Sequence, residues 1–210
     1  MKIFVLAFVM AGLAGHVNSA MLLAFGLPVS QMTGTASHLS EGLAWLDAGT
    51  ALTAVAILVG FIGGATVSGV MIGRRRFPES PRYAWGLGLE MLMLLIAAAA
   101  VQAGLVTPAL FMAALACGLQ NALVASYRGL LIRTTHITGI TTDLGVHLAR
   151  SIRQRRWSWE GSLLFTLMIG YIAGGIGGVL SLAMGTAGSL LPPAAGAGLM
   201  ALLARRYRRR

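Results

Sequence analysis

The sequence predicts an all-α membrane protein of about six transmembrane helices, built as two inverted three-helix repeats that each carry a short re-entrant or amphipathic segment. Apolar runs of spanning length recur, arginine is confined to alternate connections, and landmarks of the first half return in order in the second. The chain of 210 residues is 57% hydrophobic and only 10% charged, with a mean hydropathy of +0.79. Soluble domains sit near an even apolar share, so water is not the main solvent of this chain.

Spans are expected near 3–26, 48–73, 84–104, 108–127, 160–182 and 188–204, each close to the roughly 20 residues a helix needs to cross about 30 Å of hydrocarbon. Unbroken runs such as Met91-Leu92-Met93-Leu94-Leu95-Ile96 exclude barrel strands, which alternate apolar and polar residues. The first span, with Lys2 ahead of its apolar run and Asn18-Ser19-Ala20 behind, has the outline of a cleavable signal peptide. It is read as a retained helix because the same segment recurs, polar residue included, in mid-chain.

Segments 28–46 and 132–149 follow the first and fourth spans and are too polar to cross alone. Within the second, Ile137, Ile140, Leu144 and Leu148 recur at helical spacing, with Thr138, Thr141, Thr142 and Asp143 between them. A short amphipathic or re-entrant helix is expected in both. The single cysteine, Cys117, excludes an internal disulfide and reads as a small buried hydrophobe.

The net charge is +10, and its distribution fixes a topology. Arg74, Arg75, Arg76 and Arg82 lie between the second and third spans. Arg128, Arg133, Arg150, Arg153, Arg155 and Arg156 lie between the fourth and fifth, and Arg205, Arg206, Arg208, Arg209 and Arg210 follow the last. Connections near 27–47, 105–107 and 183–188 hold no Lys or Arg. The positive-inside rule then puts both ends in the cytoplasm of a bacterial inner membrane. Juxtamembrane basic residues attract anionic lipids by about 1 kcal/mol each, and with no basic stripe on one face no nucleic-acid partner is expected.

The internal repeat aligns Gly15 with Gly118 and Asn18 with Asn121. Met32-Thr33-Gly34-Thr35 answers Ile137-Thr138-Gly139-Ile140, Leu43-Ala44 answers Leu148-Ala149, and Gly60-Phe61-Ile62-Gly63-Gly64 answers Gly170-Tyr171-Ile172-Ala173-Gly174. The units are 1–104 and 105–210, the second ending in the basic tail. An odd number of spans in each turns the second copy over, an arrangement common in secondary transporters.

The Gly-x-x-Asn of the first span, Met32-Thr33-Gly34-Thr35, the Gly118-Leu119-Gln120-Asn121-Ala122 of the fourth span and Thr138-Gly139-Ile140-Thr141-Thr142-Asp143-Leu144 together resemble the YoaK-like family of bacterial membrane proteins. The resemblance covers nearly the whole chain. That family is a domain of unknown function, so the resemblance implies a fold and a place rather than an activity. Where it usually reads Thr-Gly-Asn-Thr, this chain has Thr33-Gly34-Thr35-Ala36.

The expected solute site gathers Asn18, Thr33, Gly34, Thr35, Gln120, Asn121, Thr138, Gly139, Thr142 and Asp143. Amides within spans need partners, and if the Thr-Gly turns dip inward they meet near the midplane. Glycine lets backbone approach a ligand, while hydroxyls and free N–H groups at a helix start bind an anion or polar solute. The structural alternative has Thr33 and Thr138 capping interfacial helices. Glu90, an ionisable group in the third span, is the coupling candidate, a turn or two from the cytoplasmic end, where it either snorkels or pairs with Arg82.

His16, His38, Glu41 and Asp47 in the outer half, with His136, Asp143 and His147 in the inner half, lack a metal-site spacing. No metal or cofactor is expected. Small residues Gly60, Gly64 and Ser68, and Gly170, Gly174 and Gly178, mark close helix packing, within the chain or in a homo-oligomer. The expected function is a secondary transporter or channel for a small solute or ion, not an enzyme, and no nucleotide-binding motif couples it to ATP. The alternatives are an integral-membrane enzyme, a metal-binding protein or a non-transporting membrane scaffold.

Overall fold

The computed structural model describes residues 2–72, 82–123 and 133–207. Arg74, Arg75, Arg76, Arg128, Arg208, Arg209 and Arg210, which entered the charge reading, lie outside the described residues. Those described form helices and connections with no strand: α1 (Lys2–Phe25), α2 (Met32–Ala44), α3 (Ala48–Ile72), α4 (Arg82–Gln102), α5 (Val106–Leu123), α6 (Ile137–Gln154), α7 (Trp159–Ser181) and α8 (Leu191–Tyr207). Five of them, α1, α3, α4, α5 and α7, are long and apolar enough to cross a membrane. Helix α8, at 17 residues, is shorter. The chain is an all-α membrane protein.

The two additional helices, α2 and α6, fall in the segments read as amphipathic, with α6 running on to Gln154 before Arg155 turns left-handed at φ 50°. Its apolar register differs from expectation in one respect. Ile140 is buried, Ile137 and Leu144 pack on the core, but Leu148 is 52% exposed. The end of α6 is left largely exposed.

Lipid tails are as apolar as leucine, so helices in a bilayer gain little from apolar burial and associate through close packing instead. The most extensive seams here are α1 with α7 and α3 with α5, and both close on glycine. A Cβ on Gly64 would overlap the carbonyl oxygen of Leu115, and one on Gly174 that of Gly12. In the same way Gly60 meets Phe111 and Gly170 meets Phe8, while from the opposite sides Gly118 meets Phe61 and Gly15 meets Tyr171. Each of these contacts has its counterpart in the other seam, the glycines standing at the positions the sequence alignment pairs. Helix α2 lies on α3 and α6 lies on α7, and α4 and α8 pack against one another.

The seams make a direct prediction. Gly64→Ala or Gly174→Ala forces a Cβ into backbone and should destabilise by about 1–3 kcal/mol. Gly69→Ala, where a Cβ meets nothing within 4 Å, should be neutral or stabilising by about 0.5–1 kcal/mol through helix propensity. Thermal unfolding in detergent ranks the three; equal effects at Gly64 and Gly69 would contradict the seam.

Candidate functional site

Helix α1 ends where Gly26, at φ +74°, turns the chain back. The returning strand of loop runs down along α1: Ser30 N–H and Ser30 O–H each donate to Asn18 Oδ1 at 3.0 Å. Asn18 lies two turns before the end of α1, about 10 Å along the axis at 1.5 Å per residue, so the turn is re-entrant. Thr35 Oγ1 donates to the Pro28 carbonyl at 2.9 Å and closes the turn from its other end. In the second half Thr135 N–H donates to Asn121 Oδ1 at 3.4 Å. The paired asparagines do the same work, accepting from backbone that no helix ladder satisfies.

Helices α2 and α6 start from these turns. Their N-cap residues are Gln31 and His136, and neither side chain caps. Thr33 and Thr138 sit inside the first turns, so the capping reading of these threonines is replaced. The first-turn N–H groups of Met32, Thr33 and Gly34, and those of Thr138 and Gly139, have no acceptor within their own helices.

Both helix starts open on one cavity of about 370 Å³. Gln31, Thr33 and Gly34 line it from α2, Arg133, His136 and Thr138 from the α6 side, and Phe61 and Asn121 form its wall. Phe61 stands midway along α3, which puts the cavity near mid-depth of the helices. Its repeat mate, Tyr171, receives a hydrogen bond from Gln31 Nε2 at 3.1 Å. The Gln31 amide on the wall is thus held from behind by the Tyr171 phenol, while the His136 imidazole and the Phe61 ring both line the cavity. Among the described residues no carboxylate lines this cavity; the Arg133 guanidinium and two helix N-termini give it a positive character.

A second cavity, about 500 Å³, shares Arg133, His136 and Thr138 with the first and adds Gly139, Thr142 and Asp143. A third, about 330 Å³, lies at the far end of α2 between His38, Glu41, Asp47 and Thr50. There His38 Nδ1 is 3.4 Å from Glu41 Oε2. Asp47 accepts from the Thr50 hydroxyl at 2.6 Å and from the Thr50 and Gly49 N–H groups at 3.2 and 3.0 Å. The Thr50 hydroxyl foremost, then these N–H groups, hold its carboxyl below the usual aspartate range.

Other expected site residues lie elsewhere. Asn18 and Thr35 are buried behind the turns they hold, and Gln120 donates from α5 to the Met10 carbonyl of α1. Glu90 is 1% exposed and its Oε2 has no hydrogen-bond partner, so it does not snorkel; the Arg82 guanidinium donates to the Met71 carbonyl at 2.9 Å. His16 Nε2 lies 2.8 Å from the Ser189 carbonyl and 3.1 Å from Ser181 Oγ, tying α1 to the α7–α8 connection. His147 Nδ1 lies 3.0 Å from Ser158 Oγ. Among the described residues no three His, Cys, Asp or Glu side chains converge as metal ligands do. Gln31, Phe61 and Tyr171 were not foreseen as site residues, although Gln31 and His136 stand one residue ahead of the matched Met32-Thr33-Gly34 and Ile137-Thr138-Gly139.

The model of the family DUF1275, described as a protein of unknown function, matches residues 6–203, in agreement with the YoaK-like resemblance of the motifs. No curated protein and no solved structure matches the chain.

Removing the Asn18 acceptor strands a buried N–H and O–H, at about 1–3 kcal/mol each. Asn18→Ala should therefore lower the melting temperature in detergent far more than Ser37→Ala, whose hydroxyl is exposed and bonded only within its own helix. At the third cavity, the Asp47 carboxyl has a lowered folded-state pKa, so what it contributes to stability is present above the ordinary aspartate range and lost as pH falls through that lowered value. Asp47→Asn should flatten this acid limb of a melting-temperature profile; an unchanged limb would remove Asp47 as its source.

Proposed function

The chain belongs to the DUF1275 family, and we propose that it is a secondary transporter or channel of the bacterial inner membrane for a small polar or anionic solute, with both ends cytoplasmic. One observation carries the reading: the starts of α2 and α6, one from each half, line a single cavity at mid-depth. Irregular backbone is tolerated there only where protein or water surrounds it. A solute leaving water loses hydration, and the first-turn N–H groups, the Thr33 and Thr138 hydroxyls and Arg133 offer replacement donors.

The proposed path follows the two short helices. Toward one face lies the cavity with Asp143 and Thr142, which shares lining residues with the central one; toward the other lies that of His38 and Glu41. Helix α2 packs chiefly on α3 and α6 on α7, so either can shift while the glycine seams stay closed. The matched seams support inverted repeats, and the arginine distribution supports a second half that enters from the opposite side. Asp143 and the buried Glu90 are the proposed coupling groups.

Purified protein in liposomes, screened for flux of small anions and neutral polar solutes, tests this. Arg133→Gln should raise the half-saturation concentration of an anionic solute by about tenfold or more, the worth of a charged hydrogen bond, and Thr138→Trp should block flux in a protein that melts normally. Wild-type flux in well-folded Thr138→Trp would exclude the cavity. Asp143→Asn should fold yet lose flux or its pH dependence; normal pH-dependent flux would remove Asp143 from coupling. Impermeant thiol reagent added outside cells should reach cysteines placed at Asp47 and Thr186 and miss one at Arg156, and the reverse pattern would sink the topology.

A further inference from the structure

Helix α6 packs on α7, and Ile140 in its first half is buried, but the residues after His147 are mostly exposed. At 100° per residue, Leu148 and Ile152 continue the apolar line of Ile140 and Leu144, yet they are 52% and 72% exposed. Arg150 and Arg153, one helical turn apart and both exposed, fall on the far side of the same turns. Beyond the left-handed Arg155 come exposed Arg156 and the indoles of Trp157 and Trp159, 47% and 41% exposed. Glu160 is the one acid between Leu148 and Gly161. Water is a poor medium for this stripe and hydrocarbon a poor one for the guanidinium groups. Only the headgroup layer suits both, and tryptophan favours the same depth.

We propose that the end of α6 and its connection to α7, from Leu148 to Trp159, form a docking surface for anionic phospholipid headgroups. Leu148 and Ile152 enter the acyl boundary, and Arg150, Arg153 and Arg156 bind headgroup phosphates as paired N–H donors. Charge complementarity selects the occupant: four exposed guanidinium groups, Arg155 included, beside one carboxylate favour an anionic lipid over a zwitterionic one. The surface is independent of what the central cavity carries, although both belong to one helix, since Thr138 and Asp143 lie at its other end.

Native mass spectrometry of the full chain, offered equal phosphatidylglycerol and phosphatidylcholine, tests the surface. Wild-type protein should retain phosphatidylglycerol preferentially. The triple change Arg150→Gln, Arg153→Gln, Arg156→Gln should reduce that preference by about fivefold per arginine, whereas the matching triple change to Lys should keep it. If the Gln variant folds poorly, raising the ammonium acetate concentration should erode the preference of the wild-type protein in the same way. Three results would overturn the proposal: undiminished preference in a folded Gln variant, loss of preference in the Lys variant, or a changed number of protein copies with lipid retention unaltered.

Discussion

A peptide N–H at membrane depth has no water to turn to, and leaving it unbonded costs several kcal/mol. Helices meet this requirement internally, and among the described residues the non-helical stretches ahead of α2 and α6 each have an asparagine of a neighbouring helix that accepts from them. Asn18 holds Ser30 by two bonds and Asn121 holds Thr135. The Asn18 amide makes the first re-entrant turn affordable. Because the N-cap side chains of α2 and α6 leave the next donors alone, those donors remain at the cavity wall. The same arrangement that satisfies one set of backbone groups offers another set to a guest.

The glycine seams carry this arrangement across the molecule. Gly15 abuts the backbone of Tyr171, and Tyr171 receives Gln31 at the start of α2; Gly118 abuts the backbone of Phe61, and Phe61 walls the cavity. The residue that permits the closest approach of two helices therefore also sets the position of a site aromatic. Packing and site are consequences of one contact made twice. The two versions differ chemically, with Gln31 bonded to Tyr171 in one and His136 and Phe61 at the matching positions in the other, and Gln31, His136 and Phe61 all line the cavity.

Much of this was legible in the sequence, for identifiable reasons. Span lengths follow from the thickness of hydrocarbon, and five of the expected spans return as helices within a few residues of their expected bounds. The Thr-Gly turns were matched by alignment, and their sharing of one cavity follows from the helices that bring them together. What the sequence hid was the partner of each polar group. Asn18, Thr35 and Gln120 look alike as buried polar residues, but Asn18 and Thr35 hold a turn and Gln120 joins α5 to α1, and only the fold decides which carbonyl or N–H arrives beside them. Glu90 reads as a near-surface acid by counting from the helix end, yet α5 and α8 flank α4 and bury it. Leu148 fits the apolar period of α6, which states a direction around the helix axis and says nothing of how far along it cover extends.

The long seams run between helices far apart in the chain, and this bears on how the protein is made. Helix α1 leaves the ribosome well before the helix that fits its Phe8, Gly12 and His16 backbone surface, since that helix is α7 and α2 to α6 are synthesised between them. Until then α1 waits in the bilayer with its closest-packing face against lipid. That is tolerable because its backbone ladder is already complete and only van der Waals contact is deferred. Its Asn18, however, can already engage Ser30, a neighbour in time as well as in space. Insertion thus secures the polar turn locally and early, and postpones the apolar closure until α7 arrives.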